Sequence, residues 1–512
     1  MVPPYRLLAL LLLGGCTTLG PNFTAPGWGG PGSFGRAKAP GAPVSQTVEA
    51  PIDPNWWTLF KDRTLSALEQ RVAGENLDVA IAALRIQESR AQYDSAVAAG
   101  MPSINGNASY AHQKASNVGT FANAPNPLGA SGVSGANPGG LNSGGRKLSP
   151  FDIYQAGFDA SWELDLWGKI RRSVESASAT SEASEEARRG VLLTSLAEVA
   201  RGYITLRGVQ TQLRIARDNV RIAQDSLKLT QQRAAGGVTT TLDVANAQAQ
   251  LSTTLAQIPA LEQQESQLIN AISLLLGMPP NGLRTELQTP RAVPPVPPRV
   301  PVGLPSELAR RRPDVRQAEA QLHAATANIG VARAAFYPSV TLSGSTGLQA
   351  IHFNALFGFN ARQFAFGPTV SVPIFEGGRL KATLHLTETQ QKEAAVTYQQ
   401  IVLTALHEVD NALTAYRSEQ ARRRQLTDAV AQNHRALDLA KARYAQGVTD
   451  FLTVLVVQRA LQDSELLLSD STTTVSNNLV ALYKALGGGW ESDLPERTNP
   501  DQTKQAEANP PH

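Results

Sequence analysis

Four stretches of the chain alternate residue by residue between two unlike faces, and hydrogen-bond accounting then limits what the chain can fold into. After Pro102, Ile104, Gly106, Ala108 and Tyr110 fall on one side and Ser103, Asn105, Asn107 and Ser109 on the other. Tyr154, Ala156, Phe158, Ala160 and Trp162 oppose Gln155, Gly157, Asp159 and Ser161 in the same way. Val340 and Leu342 oppose Ser339, Thr341, Ser343 and Ser345, and Phe364, Phe366, Val370 and Val372 oppose Gln363, Thr369 and Ser371. A period of two belongs to a β-strand, and each stretch is about ten residues, enough for a tilted strand to cross a bilayer. A half-exposed sheet in a soluble domain alternates too. Here the hidden face carries Asn, Ser, Thr, Gln and Gly, which suit a water-filled lumen, and Tyr110, Tyr154, Trp162 and Phe364 suit interfacial girdles. The smallest membrane barrels use about eight strands, and an open sheet edge in lipid leaves backbone groups unpaired. Four strands at about 103–112, 153–164, 339–348 and 363–374 therefore require a barrel shared between copies, at least two of them.

The chain also repeats itself. Val191-Leu-Leu-Thr-Ser-Leu-Ala-Glu198 matches Ile401-Val-Leu-Thr-Ala-Leu-His-Glu408, and in one ungapped register Gly168 meets Gly378, Gly237-Val238-Thr239 meets Gly447-Val448-Thr449, and Gly277 meets Gly487. The first repeat is placed at 61–288 and the second at 306–490. Within each, a proline-free run rich in Ala, Glu, Gln, Arg and Leu (169–235 and 380–446) reads as helix and is long enough for roughly 100 Å at about 1.5 Å per residue. A second helix is expected to return after each Gly-Val-Thr turn, at 242–276 and 451–486. Residues 289–305 hold seven prolines and predict an extended connector. The Gly, Asn, Ala and Ser of Asn117 to Gly145 predict a long flexible loop, and 491–512 a flexible tail.

The N-terminus reads as a signal peptide over 1–15, with an apolar run from Leu7 to Leu13, and Cys16 follows small residues as the only cysteine of the chain. One thiol excludes an internal disulfide, a CxxC pair and a thiolate zinc cage, and its place predicts lipidation of Cys16 and a lipid-anchored segment over 16–60. Beyond this leader no run of about 18 apolar residues exists to make a spanning helix. A formal net charge of +3, dispersed along the chain, excludes nucleic acid as a partner. The seven histidines are scattered, so no metal site is expected, and neither a phosphate-cradling GxxxxGK[ST] loop nor a GxSxG elbow is present. No enzyme activity and no cofactor beyond the lipid are expected.

Several motifs taken together resemble TolC-like outer membrane factors, in particular the NodT-type efflux lipoproteins that serve RND pumps. They are Trp56-Trp57-Thr-Leu-Phe60, Trp162-Glu-Leu-Asp165-Leu-Trp167-Gly168, Arg312-Pro313-Asp314-Val315, Phe336-Tyr-Pro338-Ser339, Val372-Pro-Ile-Phe375-Glu-Gly-Gly378, Arg443-Tyr444-Ala-Gln-Gly447-Val448 and Leu482-Tyr-Lys-Ala-Leu-Gly-Gly-Gly-Trp490. The resemblance implies a homotrimer whose twelve-stranded outer-membrane β-barrel, four strands per chain, continues into a periplasmic α-helical barrel. It implies a Gram-negative outer membrane location, a lipid anchor, and a passive exit duct for small molecules in a tripartite efflux system. A periplasmic adaptor (membrane fusion) protein would meet the tips Gly237, Val238, Thr239, Gly447, Val448 and Thr449, and an inner-membrane RND pump would supply the energy. Leu452 matches a position of an apolar ring at the closed end. Val456 stands where relatives often carry aspartate, so the expected gate is Leu452 and Val456, one helical turn apart and apolar, with Asp243 and Asp450 as solvated turn residues. Two alternatives are a duct for type I protein secretion and a lipid-tethered coiled-coil scaffold without a pore.

Overall fold

The computed structural model describes residues 18–27, 45–48, 50–114, 150–303 and 311–493. The expected signal peptide, Cys16, the loop from Asn117 to Gly145 and the tail beyond 493 lie outside these residues. In chain order the described elements are β1 (Gln46–Val48), α1 (Arg63–Glu75), α2 (Leu77–Ala98), β2 (Ser103–Gln113), β3 (Phe151–Leu164), α3 (Lys169–Ala235), α4 (Thr241–Leu255), α5 (Gln257–Leu275), α6 (Arg284–Leu287), β4 (Arg299–Pro301), α7 (Pro313–Ala334), β5 (Ser339–Ala350), β6 (Arg362–Ser371), α8 (Arg379–Ala445) and α9 (Phe451–Ala485). The described residues fall into two compact units, one drawn from within 1–23, 92–177 and 325–390, the other from within 24–91, 178–324 and 391–512.

The first unit is built on an antiparallel sheet in the order β2-β3-β5-β6. Its register carries the alternation across all four strands: Ile104 pairs with Ala160, Ala160 with Gly344 and Gly344 with Phe366. Phe158 likewise pairs with Thr346 and Thr346 with Phe364. One face therefore collects the apolar rows, and Phe364 and Phe366 stand 79% and 83% exposed on it. The other face collects Asn105, Asp159 and Ser345 in one row and Ser103, Ser161 and Ser343 in another. β6 stops at Ser371, short of the expected 374, because Pro373 has no N–H to continue the ladder. The step from β3 into α3 explains a motif: the Asp165 carboxylate accepts from the main-chain N–H groups of Ile170 (3.1 Å) and Arg171 (2.9 Å), capping the long helix, while Trp167 donates to the Pro338 oxygen at 2.7 Å.

The second unit has its core where Trp56, Phe60, Leu65, Leu68, Leu196, Tyr203, Leu479 and Tyr483 interlock, with Trp56 stacked on Tyr483 at 5.4 Å. Asp62 caps α1 through Thr64 and Leu65 and also accepts from the Tyr203 hydroxyl at 2.8 Å. Arg312 holds Asp314 with two nitrogens (3.0 and 2.6 Å), Glu408 at 2.6 Å, and the Ala485 oxygen at 3.0 Å, so the Arg-Pro-Asp motif closes the end of α9. α3 and α8 are each 67 residues long. The return helix expected over 242–276 is instead two, divided at Ala256. Pro259 is the cause, since it lacks an N–H and its ring crowds the Leu255 oxygen four residues back. The proline-dense stretch forms one three-residue strand, β4, paired in parallel with β1.

Candidate functional site

The turns that follow α3 and α8 are the same device in both repeats. Each helix ends on a glycine in the left-handed region, Gly237 at φ +75° and Gly447 at φ +77°. The Gly237 N–H bonds back to the Ala234 oxygen (2.9 Å) and the Val238 N–H to the Arg233 oxygen (2.9 Å). Gly447 and Val448 repeat this onto Tyr444 and Arg443, both at 3.0 Å. This paired closure satisfies helix-end carbonyls, and only glycine takes the required φ without strain. Each returning helix then starts on a side-chain cap. Thr240 and Asp243 form a reciprocal capping box on α4, and Asp450 accepts from the Thr453 N–H at 3.0 Å on α9. The hydrogen bond from Thr239 holds the Asp243 carboxyl below its usual range, and that from Thr453 does the same for Asp450. Both aspartates are occupied as caps.

Two contacts hold the tips side by side. Beneath them, Leu227, Ala247, Leu251, Leu437, Tyr444, Phe451, Val454 and Leu455 form a small core. At the end itself the Arg233 guanidinium donates to the main-chain oxygens of Tyr444 (2.6 Å) and Ala445 (3.0 Å) and lies 4.6 Å over the Tyr444 ring. A cation on the last carbonyls of a helix also meets the negative end of its dipole.

The expected site residues are therefore brought together at one end of the second unit. Val238 and Val448 project from the turns, 65% and 70% exposed, while Thr239 and Thr449 are half-buried. On α9, Phe451, Val454 and Leu455 face the core, and Leu452 and Val456, each 58% exposed, share the opposite side. Two residues escape a sequence reading. Arg233 is one; the other is Leu242, the counterpart of Leu452 in the repeat register and 66% exposed. The repeat register was the signal that could have found Leu242. Among the described residues no group of three or more His, Cys, Asp or Glu side chains could hold a metal ion, and no helix is long and apolar enough to cross a membrane.

The family model described as outer membrane efflux protein matches residues 68–278 and 304–488. The solvent efflux pump outer membrane protein SrpC of Pseudomonas putida is 34% identical, the match covering 94% of this chain and 97% of that protein. The probable outer membrane lipoprotein SilC of Salmonella typhimurium is 31% identical over 94% and 97%. Among solved structures, the outer-membrane channel OprN superposes with a TM-score of 0.81 at 32% identity, covering 93% of this chain and 100% of that one.

Proposed function

This chain belongs to the outer membrane efflux protein family, and from that premise we propose that three copies build one duct, twelve strands across the outer membrane and a helical barrel in the periplasm. It is the outer-membrane channel component of a tripartite efflux system, a conduit and not a catalyst. The observation that carries the shared barrel is the pair of open sheet edges, and the count of three follows the resemblance to TolC-like factors. Among the described residues β2 and β6, 11 and 10 residues long, each have a strand on one side only, and nothing covers their apolar face. In lipid each unpaired backbone group costs several kcal/mol. Pairing β6 of one copy with β2 of the next around a closed axis leaves no edge. The apolar rows then face lipid, and the Asn105, Asp159 and Ser345 row faces water.

In this reading the glycine turns present Val238 and Val448, flanked by Gly237, Thr239, Gly447 and Thr449, to a periplasmic adaptor, and an RND pump in the inner membrane drives transport. Lipid on Cys16 adds a second hold on the outer membrane. Leu452 and Val456 from three copies form stacked apolar rings that exclude ions by dewetting. The test is single-channel recording in planar bilayers. Leu452→Ser with Val456→Ser is expected to raise conductance over the parent. An unchanged conductance removes the gate from these residues, and silence from both proteins removes the duct.

A further inference from the structure

We propose that Arg443 is the seam residue between neighbouring copies: its guanidinium donates to the main-chain oxygens of Ala234 and Ala235 at the α3 end of the adjacent chain. The inference rests on the proposed ring of identical chains, and it comes from the one such seam that lies within a single chain.

That internal seam joins the two repeats. The first repeat supplies the donor, Arg233, and the second supplies the acceptors, the oxygens of Tyr444 and Ala445. In the repeat register every part has a counterpart: Arg443 stands for Arg233, and Ala234 and Ala235 stand for Tyr444 and Ala445. The backbone agrees down to the individual bond. Ala234 accepts from Gly237 as Tyr444 accepts from Gly447, so both helix ends present their last carbonyls with the same closure. Within one chain, the second guanidinium does not reach the first pair of carbonyls. Among the described residues Arg443 is exposed and makes no side-chain hydrogen bond, and Ala235 is exposed beside its half-buried neighbour.

A ring in which the repeats alternate uses both. Each second repeat is followed by the first repeat of the next copy, so the geometry that brings Arg233 onto the second repeat brings Arg443 onto the neighbour's first. The two seams are not equal. Ala234 replaces the Tyr444 ring, so the seam between chains keeps the carbonyl bonds and lacks the stacked cation. The seam between chains is therefore the weaker of the two.

A short bis-maleimide cross-linker reads the arrangement directly. In the full-length protein, Arg443→Cys with Ala235→Cys is expected to give species of two and three chains on a denaturing gel. Arg233→Cys with Ala445→Cys is expected to react and stay at the mass of one chain. The parent, whose one cysteine is Cys16, sets the background. If the first pair stays at one-chain mass while the parent is a three-chain particle by native mass, the seam is overturned and the duct stands. A one-chain native mass for the parent overturns both.

Discussion

Replacing Arg233 by alanine removes three interactions at the joined tips and lets each turn fray once the tips have parted. The bond to the Tyr444 oxygen is part-buried and the one to Ala445 exposed. Charged hydrogen bonds are worth about 1.5–3 kcal/mol when buried and less in water, so together they contribute roughly 2 kcal/mol. The stacked guanidinium at 4.6 Å adds about 0.5–1 kcal/mol. Against this stands the side-chain freedom lost by fixing an arginine, up to about 2 kcal/mol. The net is about 1–2 kcal/mol, or roughly a 5–30-fold rise in the population of parted tips. Amide hydrogen exchange on the detergent-solubilised protein reads that population. Exchange of the main-chain N–H groups of Gly237, Val238, Gly447 and Val448 is expected to accelerate by that factor. The core around Trp56 and Tyr483 stays as protected as in the parent. Arg233→Lys, with one point charge and no planar fork, falls between. Unchanged exchange at the tips, or an equal rise throughout the chain, refutes the claim that this guanidinium holds the two hairpins together.

Two further expectations concern Glu69, whose side chain is buried among the helices of the second unit with no partner for either carboxyl oxygen among the described residues. Glu69→Met, similar in volume and apolar, is expected to stabilise the protein at neutral pH by about 1–3 kcal/mol, seen as a higher melting temperature. Burial pushes the Glu69 carboxyl well above the usual carboxylate range, so the unfolded chain ionises first as pH rises and stability falls from about pH 4.3 up to the raised folded value. The gap between parent and variant should therefore narrow as pH is lowered from the raised folded value to about 4.3, and a gap independent of pH would show that Glu69 carries its charge in the folded protein.

Much of the architecture is legible in the chain because two periods are kept cleanly. The strands are visible because small polar residues alternate with apolar ones, and the register of the four-stranded sheet preserves that alternation across strands. α3 and α8 are visible because nothing within them breaks a helix. α2 is hard to read because its apolar residues do not gather on one buried face: Leu77, Ile81 and Leu84 are exposed while Val79 and Ala82 are buried. The division at Ala256 follows from Pro259, a single residue outweighing the apolar pattern around it. At the tips, glycine and the capping residues announce the turns, since those bonds are local. The Arg233 contact is invisible to any local rule, because it joins a side chain to carbonyls more than two hundred residues away.

The most direct test of the account is the number of chains in the purified particle, measured by native mass spectrometry from detergent. A particle of three chains, with no free monomer at working concentration, is the result the proposed duct predicts, since the β2 and β6 edges are closed only by other copies. A stable single chain, folded and soluble without detergent, would contradict it.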